Sequence, residues 1–281
     1  MYALYTIDTA ILCVAAILAL RLQIIVNPPF GIDWKLEQMK VEEEHRKGEL
    51  GHFAPGLPKI SDGQQLFVLN GLSKLAPTGK MAIIQNGSPL FSGDAGSGPS
   101  EIRRYILEND WLDDIVQLST DEFMNTGISI YIWICAKDKP ARRAGKVQLI
   151  CASHCYEPRC KSFGTKRDDI TDLCRGLIVQ AYGVFRDDAI YGDKGGVYCH
   201  SKIFNAEDFG YYKITMERPE LDAQGNPVLK HGKPVADSSL RDTENVQMTE
   251  DIQAYFAWEV LPYAPDAWID EKKQRWAMRF P

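Results

Sequence analysis

Apolar positions recur along the chain with two different periods, and the change of period predicts its strands and helices. Short apolar runs at residues 24–26 and 81–85 are typical of buried strands. Between them, residues 64–75 carry leucine and phenylalanine near helical spacing. Because the order strand, helix, strand favours parallel pairing, we expect an α/β fold built on a parallel sheet.

Further elements follow up to about residue 151. Residues 128–136 alternate and are rich in β-branched and aromatic side chains, which predicts a strand. Shorter apolar runs predict strands at 115–118 and 147–151, and a helix is expected over 101–109. The tripeptide Pro77-Thr78-Gly79 is interpreted as a turn.

The pattern changes beyond residue 151. Residues 168–190 and 249–261 are predicted helices, whereas 219–240 is polar, rich in proline and glycine, and predicted to be a long loop. We therefore expect a helical C-terminal extension over residues 161–281.

Composition and charge narrow the class of protein. The chain has 281 residues, enough for one large or two modest domains, and its hydrophobic content of 45% is ordinary for a globular protein. The net charge of −6 argues against bulk attraction to nucleic acid but leaves room for a local basic surface. The seven cysteines are irregularly spaced, so no disulfide framework is evident and a reducing cytoplasm is expected.

The most informative motif is Asn27-Pro28-Pro29-Phe30, which directly follows the first apolar run. The two prolines fix φ and supply no N–H, so the turn is stiff. The Asn27 side-chain oxygen and the Pro28 carbonyl can each accept one hydrogen of an exocyclic amine, and Phe30 can stack on the ring. Engaging both hydrogens makes the amine nitrogen a better nucleophile. The alternative is a proline-rich turn with no chemical role.

Three further features carry weaker hypotheses. Lys161, Lys166 and Arg167 form a basic cluster that could contact DNA phosphates or could be a solvated loop. The glycine-rich segment 93–98 precedes a predicted helix and could cradle a phosphate, although a flexible loop is the better interpretation. Cys151, Cys155 and Cys160 lack zinc-knuckle spacing, so we predict no metal site.

Long stretches of the chain resemble one family closely, the modification (M) subunits of type I restriction–modification systems, which are adenine-specific DNA methyltransferases. The resemblance runs from about Val26 to about Lys273. Besides the Asn27–Phe30 motif, it is carried by residues 62–69 (DGQQLFVL), 77–104 (PTGKMAIIQNGSPLFSGDAGSGPSEIRR), 125–134 (NTGISIYIWI), 208–219 (DFGYYKITMERP) and 242–246 (DTENV).

The resemblance implies a fold, a reaction and a set of site residues. The fold would be the distal part of a methyltransferase-type, Rossmann-like sheet, with residues 26–160 as a partial catalytic domain and 161–281 as the extension. The reaction would transfer a methyl group from S-adenosylmethionine to the amino group of an adenine flipped out of the duplex. Asn27 and Pro28 would bind the amine, Pro29 would stiffen the turn, and Phe30 would stack.

The partners implied by the resemblance are double-stranded DNA, a specificity subunit, a motor-nuclease restriction subunit and a second M subunit. No membrane association is expected. Sequence choice would come from the specificity subunit, and the acidic net charge suggests that a partner supplies much of the grip on DNA.

The resemblance covers roughly the C-terminal half of an M subunit. In that family a glycine-rich donor loop precedes the Asn-Pro-Pro-Phe turn, whereas residues 1–26 contain no glycine, so the cofactor-binding residues are unknown. Residues 1–25 form an atypical apolar leader. Residues 276–281 can be coded so that a shifted frame gives Gly-Tyr-Glu-Ile-Pro, as the family has there. We therefore expect a reading-frame change near Lys273, and a similar change before Val26 would account for the leader.

Two other functions stay open at this point. The chain could be a truncated, non-catalytic remnant that binds only DNA or the specificity subunit, which the missing donor loop favours. It could also methylate a protein glutamine amide, but such enzymes usually carry tyrosine where this chain has Phe30.

Overall fold

The computed structural model describes residues 21–123 and 127–280, and these divide into two compact units. The first unit runs to Gly93 and from Ser97 to Ala206, and the second comprises Asp94–Gly96 together with the residues from Glu207 onward. Of the expected leader, residues 1–20 lie outside the described part. The expected boundary between residues 160 and 161 falls within the first unit.

A mixed seven-stranded sheet is the framework of the first unit. Its strand order is β1-β2-β4-β3-β5-β9-β8. The strands of this unit, including a separate pair formed by β6 and β7, are β1 Arg21–Val26, β2 Leu75–Asn86, β3 Leu112–Gln117, β4 Ile130–Ala136, β5 Lys146–His154, β6 Glu157–Phe163, β7 Lys166–Asp169, β8 Ala189–Gly192 and β9 Tyr198–Asn205.

The strand directions gather several loops at one edge of the sheet. Strand β1 is parallel to β2, β4 is antiparallel to both β2 and β3, and β5 is parallel to β3. Strands β1, β2, β3 and β5 therefore point the same way, and their carboxyl ends share one edge, which we call the carboxyl edge. Ligand sites of α/β sheets lie at such edges. The loops that leave it here begin at Asn27, Gly87, Leu118 and Cys155.

The helices of the first unit are α1 Gln38–Arg46, α2 Gln64–Lys74, α3 Ser88–Phe91, α4 Gly98–Glu108 and α5 Asp172–Val184. Helix α2 buries Leu66, Leu69 and Leu72 and lies against β2. A Cβ on Gly71 would collide with the sulfur of Met81, so the glycine permits this close approach. Helix α5 begins at the Thr171 N-cap, whose hydroxyl accepts the Cys174 N–H.

A buried polar network joins α5 to β3 and β5. The Arg143 guanidinium donates to the Asp113 carboxylate at 3.1 Å, to the Gln148 side chain at 3.0 Å and to the Tyr182 carbonyl. The Tyr182 hydroxyl donates to the same carboxylate at 2.7 Å. The guanidinium also lies over the rings of Tyr182 and Phe185, at 4.3 and 4.1 Å from their centroids. The network therefore fixes how α5 packs against the centre of the sheet.

The second unit is built around antiparallel strands. Strand β10 (Gly210–Glu217) pairs with β13 (Asp242–Gln247), β14 (Trp268–Ile269) and β15 (Arg275–Met278). A small pair, β11 (Leu229–Lys230) with β12 (Lys233–Pro234), forms an exposed hairpin. Helix α6 (Ile252–Tyr255) continues into a π-helical turn at Phe256–Val260.

Helices occupy less of residues 161–281 than the sequence pattern predicts, so the expectation of a helical extension needs correction. The two predicted helices are present as Asp172–Val184 and as Ile252–Tyr255 with its π turn. Strands such as Tyr198–Asn205 and Gly210–Glu217 supply much of the rest. These strands were missed because their stability comes from pairing with distant segments rather than from local propensity. The α/β class itself is confirmed.

The expected turn at Pro77-Thr78-Gly79 is also corrected, because it lies inside β2. The pairing of β1 with β2 jumps from Arg21↔Leu75 to Gln23↔Lys80, so the intervening residues of β2 form a bulge. Within residues 21–123 and 127–280, no helix is both long and apolar enough to cross a bilayer.

Candidate functional site

The Asn27-Pro28-Pro29-Phe30 motif forms the loop that leaves β1 at the carboxyl edge, as predicted for a strand ending there. Asn27 and Pro29 are exposed, Pro28 is buried, and Phe30 is half-buried. The motif therefore combines a buried proline that fixes the backbone with an asparagine amide that faces solvent. Among the described residues, β1 is the terminal strand of the sheet, and none of them covers its outer edge.

The chain after the motif is held in place by backbone contacts. Gly31 has φ +64°, a left-handed conformation that favours glycine. The Ile32 carbonyl accepts the Gly63 N–H at 3.0 Å. The buried Trp34 donates its backbone N–H to Ile60 at 3.1 Å and its indole N–H to Lys59 at 3.0 Å. These bonds fix the direction in which the loop leaves the site.

Phe30 is supported from the side of the sheet. Its ring packs against a buried apolar cluster that includes Val116, Leu118 and Ile130, and Phe123 packs against the same cluster. Phe30 thus presents part of its surface to solvent while its position is fixed by the core. A ring held in this way can stack on a heteroaromatic base without losing much side-chain entropy.

The Asn27 side chain makes no hydrogen bond to any other described residue, so its carbonyl oxygen and amide N–H₂ are both available to a ligand. By contrast, Asn86, at the end of the neighbouring strand β2, uses its side-chain oxygen to accept the Ser88 N–H at 2.9 Å. Two asparagines therefore end adjacent parallel strands, but only the Asn86 oxygen is engaged in holding a loop.

The glycine-rich segment Gly93–Gly98 owes its composition to packing. A Cβ on Gly98 would collide with the Leu57 carbonyl, and one on Gly56 would lie 3.0 Å from the Gly98 carbonyl. Gly93 and Gly96 have φ of +84° and +79°. The acidic Glu101 lies in the first turn of α4, where it occupies the helix end that favours an anion. The segment therefore does not fit a phosphate cradle.

Lys161, Lys166 and Arg167 lie on the hairpin formed by β6 and β7, which follows β5 at the carboxyl edge. Four strand spacings separate β1 from β5, or ~19 Å at ~4.8 Å each. The fold therefore brings the basic cluster to the same edge as Asn27, but not into contact with it.

Carboxylates also gather beside this hairpin, and no local pattern in the sequence marks them. Ser119 donates to Glu122 at 3.4 Å and to Asp168 at 3.2 Å, and Lys166 lies 4.0 Å from Glu122. Burial raises the pKa of Glu122, and the nearby Lys166 opposes that rise. These groups are distant in sequence, and only the loop connections at the carboxyl edge bring them together.

The cysteines are distributed differently from the pattern Cys151-x3-Cys155-x4-Cys160. Cys155 is buried with Cys174 and Cys199 in the apolar cluster, and its thiol donates to the Cys174 carbonyl at 3.5 Å. Cys151 and Cys160 are exposed. Burial raises the pKa of the Cys174 thiol, as expected for a core residue.

The fold and the site together define the class of protein. Residues 21–203 match the family of N-6 DNA methylases, and the chain belongs to that family. The match begins at Arg21 and includes the Asn27–Phe30 motif, the whole seven-stranded sheet except the last residues of β9, and the β6–β7 hairpin.

Among individual proteins, the chain is similar to two methylase subunits of Methanocaldococcus jannaschii. It is 27% identical over 163 residues to the type I restriction enzyme MjaIX methylase subunit, which covers 58% of this chain and 28% of the relative. It is 26% identical over 168 residues to the MjaVIII methylase subunit, covering 59% and 27%. The chain therefore matches little more than a quarter of the length of these relatives.

A solved structure supports the fold. The crystal structure of the type I restriction-modification methyltransferase subunit from Streptococcus thermophilus superposes with a TM-score of 0.51 at 24% sequence identity. The superposition covers 66% of this chain and 34% of that protein. At this identity the likeness establishes a methyltransferase-type sheet.

N-6 methylases generally use S-adenosylmethionine, but the described residues do not fit a site for it. Gly98 is occupied by backbone packing against Leu57, and Gly93 and Gly96 serve a loop with positive φ. Within the described residues, the edge of β1 opposite β2 has no partner strand to carry donor-binding loops. The described part of the chain thus contains the Asn27–Phe30 motif without a recognisable donor site.

Proposed function

We propose that this chain holds the amino group of an adenine in DNA for N6 methylation, as part of an adenine-specific methyltransferase subunit of a type I restriction–modification system. The observation that carries the proposal is the Asn27–Phe30 loop at the carboxyl end of β1, in a chain of the N-6 DNA methylase family. The names of its relatives support the type I assignment.

The target adenine must leave the duplex to reach this loop, since its amino group is stacked and paired inside the helix. The Asn27 oxygen and the Pro28 carbonyl each accept one amine hydrogen. Pro29 keeps the two acceptors at a fixed spacing, because its φ is locked. Phe30 stacks on the purine ring and is braced from behind by the apolar cluster.

The chemical effect of this grip is on the amine nitrogen. In free adenine the nitrogen lone pair is conjugated with the ring. Accepting both hydrogens in the geometry of an sp³ amine favours a lone pair directed out of the ring plane, which is nucleophilic. The methyl group comes from S-adenosylmethionine in this family, and the described residues of this chain act on the base alone.

The proposed partners follow from the same assignment. Double-stranded DNA is the substrate, and a specificity subunit chooses the sequence. A motor-nuclease subunit and a second M subunit complete the assembly. The net charge of −6 fits a subunit that shares its DNA contacts with partners. We place the proposed DNA methylation in the cytoplasm, where DNA is present and thiols such as Cys151 stay reduced.

The test compares two DNA duplexes that differ in one amino group. Each carries one purine opposite an abasic site, which removes the cost of opening a base pair. The purine is adenine in one duplex and unsubstituted purine, which lacks the 6-amino group, in the other. We expect the chain to bind the adenine duplex about tenfold more tightly, measured by fluorescence anisotropy, since two neutral hydrogen bonds are at stake.

Variants separate the roles of the loop residues. Asn27→Ala should abolish the preference for adenine, and Phe30→Ala should weaken binding of both duplexes through lost stacking, ~1–3 kcal/mol per base. Asn70→Ala removes the same amide from helix α2 and should change nothing. Equal affinity of the unaltered chain for both duplexes would refute the proposed amine grip.

A second function is favoured by one observation, the absence of a donor site among the described residues. In that case the chain binds DNA or the specificity subunit without catalysing transfer. Calorimetric titration of the 281-residue chain with S-adenosylmethionine tests it. We expect weak or no binding by the chain alone. Micromolar affinity would show that a donor site exists and would remove the main support for the non-catalytic alternative.

A further inference from the structure

The hairpin of β6 and β7 has no buried residue in either strand, so burial of side chains does not account for its stability. Every residue of β6, Glu157–Phe163, is exposed, and the Phe163 side chain at its tip is 62% exposed. A two-stranded hairpin alone is marginally stable in water. Among the described residues, the Phe163 ring makes no core contact that would explain its position, so it is free to contact a ligand.

The shape of the hairpin is fixed by its turn. Phe163 pairs with Lys166, so Gly164 and Thr165 form a two-residue loop, and Gly164 has the positive φ of +61° that a type II′ turn requires at its first position. The pairing then skips from Phe163↔Lys166 to Pro158↔Asp168. Residues 159–162 therefore bulge from one side and carry Lys161 outward.

Charge is segregated along the hairpin. Asp169, at the base, pairs with Arg159 at 2.6 Å and with Lys166, which lies beside the turn, at 3.1 Å. These cations lower the pKa of Asp169, Arg159 contributing most. Among the described residues, no carboxylate lies within ion-pair distance of Lys161 or Arg167. Positive charge that is not neutralised locally thus flanks the exposed ring.

The hairpin is tethered near its turn as well as at its base, so it is not free to swing. The Arg167 N–H donates to the Asp121 carbonyl at 3.0 Å, and the Thr165 hydroxyl donates to the Phe123 carbonyl at 3.4 Å. At the other end, Thr171 donates to Glu157 at 3.0 Å. These bonds hold the hairpin over the loop that follows β3, at the carboxyl edge.

We propose that the β6–β7 hairpin enters the major groove of the duplex whose adenine is held at Asn27, with Phe163 against base edges and with Lys161 and Arg167 on phosphates. This inference rests on the proposed function for its location. The major groove, ~12 Å wide, admits a two-stranded ribbon. The strand spacing of ~19 Å from β1 to β5 corresponds to about five to six base pairs at ~3.4 Å each.

The two kinds of contact have different signatures in DNA binding. Neutralised phosphates make affinity fall with salt, by ~0.9 in the log–log slope for each contact. The double variant Lys161→Ala with Arg167→Ala should therefore reduce the slope by about 1.8. Phe163→Ala should lower affinity at least about fivefold and leave the slope unchanged, since its contact is apolar.

The chain offers a matched control in its other exposed hairpin. Strands β11 and β12 carry Lys230 and Lys233, with the exposed Leu229 beside them. Leu229→Ala and the double variant Lys230→Ala with Lys233→Ala remove a similar apolar group and the same charge from the second unit. We expect these variants to bind duplex DNA like the unaltered chain. Equal losses of affinity from both hairpins would show that only net charge matters and would overturn the proposal.

A change in the DNA tests the groove. Replacing every thymine by uracil removes the methyl groups that line the major groove and leaves the backbone and minor groove intact. The unaltered chain should bind the uracil duplex more weakly, and Phe163→Ala should bind both duplexes alike. An unaltered chain that binds both duplexes equally, or that fails to bind duplex DNA at low salt, would overturn the proposal.

These measurements use fully paired DNA and therefore fail independently of the proposed function. Loss of the hairpin effects, with the adenine preference of Asn27 intact, would refute only the hairpin. The reverse result would refute the amine grip and leave the hairpin as a DNA-binding element.

Discussion

The centre of the seven-stranded sheet and its β1 edge are built in opposite ways. Around β3, β5 and α5, polar groups are buried and largely satisfied: Arg143 and Asp113 are 3% and 1% exposed, and their ion pair is joined by Tyr182 and Gln148. At β1 the chain exposes Ile25, at 87%, and the amide of Asn27. The centre is a scaffold, and the β1 edge leaves the Asn27 amide available to a ligand.

This difference separates the region that stabilises the fold from the region that can bind a ligand. A saturated buried network specifies one arrangement of its elements but cannot bind a further ligand. A strand end with an unengaged amide on a stiff, partly buried turn can. Substitutions around β3 and β5 should therefore change the free energy of unfolding. Substitutions at the β1 edge should change ligand binding and self-association.

The largest effect is expected at Arg143. Arg143→Ala leaves the buried Asp113 carboxylate without its cation, which should cost about 3–5 kcal/mol of unfolding free energy. The neighbouring Arg142 is exposed and donates only to the Gly183 carbonyl at 2.9 Å and weakly to Val184. Arg142→Ala should cost less than about 0.5 kcal/mol. Urea denaturation of the two variants provides the comparison, and similar losses from both would contradict a specific role for the network.

Asp114 is the exception within the scaffold, and it makes stability depend on pH. It is fully buried on β3, and neither carboxylate oxygen has a hydrogen-bond partner. Burial raises its pKa well above the ordinary value of 3.8, although Arg143 opposes the rise. The folded state therefore retains a proton that the unfolded state loses, so stability falls as the pH rises from about 4 through the raised pKa.

The variant Asp114→Asn removes this titration. It should stabilise the protein at pH 8 by about 1–3 kcal/mol, and the gain should shrink towards pH 4. Asp113→Asn, one residue away, should instead destabilise at pH 8, because that carboxylate pairs with Arg143. Thermal unfolding across pH 4–8 would measure both. A gain for Asp114→Asn that does not vary with pH would show that the carboxyl does not titrate in this range.

Substitution of Ile25 should have the smallest effect on the free energy of unfolding, but it should change solubility measurably. Its side chain lies on β1, whose edge opposite β2 has no partner strand among the described residues, and such an edge can pair with other molecules. Ile25→Lys should raise the protein concentration at which light scattering begins, and should change the unfolding free energy by less than about 0.5 kcal/mol. Met39 is 82% exposed on helix α1, which offers no free edge. Met39→Lys should therefore have less effect, and an equal improvement would argue against edge pairing.

The sequence predicts the elements whose signal is local. The strand ending at Asn27 and the helix beginning at Gln64 are found as predicted, since apolar spacing and turn residues define both. The β6–β7 hairpin escaped prediction because every residue of β6 faces water, so no apolar period marks it.

Arrangement in space is the part that could not be predicted. The proximity of Ser119, Glu122 and Asp168 depends on the strand order, which places β3 beside β5. The glycines at 93–98 suggested a phosphate loop, but their role is to let two backbones approach, which is visible only once Leu57 is placed beside Gly98. Residue types alone do not distinguish these two uses of glycine.

Photochemical crosslinking tests the central claim, that a base is held at the β1 end, most directly. A duplex carrying 8-azidoadenine, which keeps the 6-amino group, opposite an abasic site in the position of the target base is irradiated with the chain, and the attached residue is identified by mass spectrometry. The account predicts attachment to Phe30, because a base gripped at Asn27 lies against that ring. Attachment to other exposed aromatic residues such as Phe91 or Trp258, with none at Phe30, would contradict it.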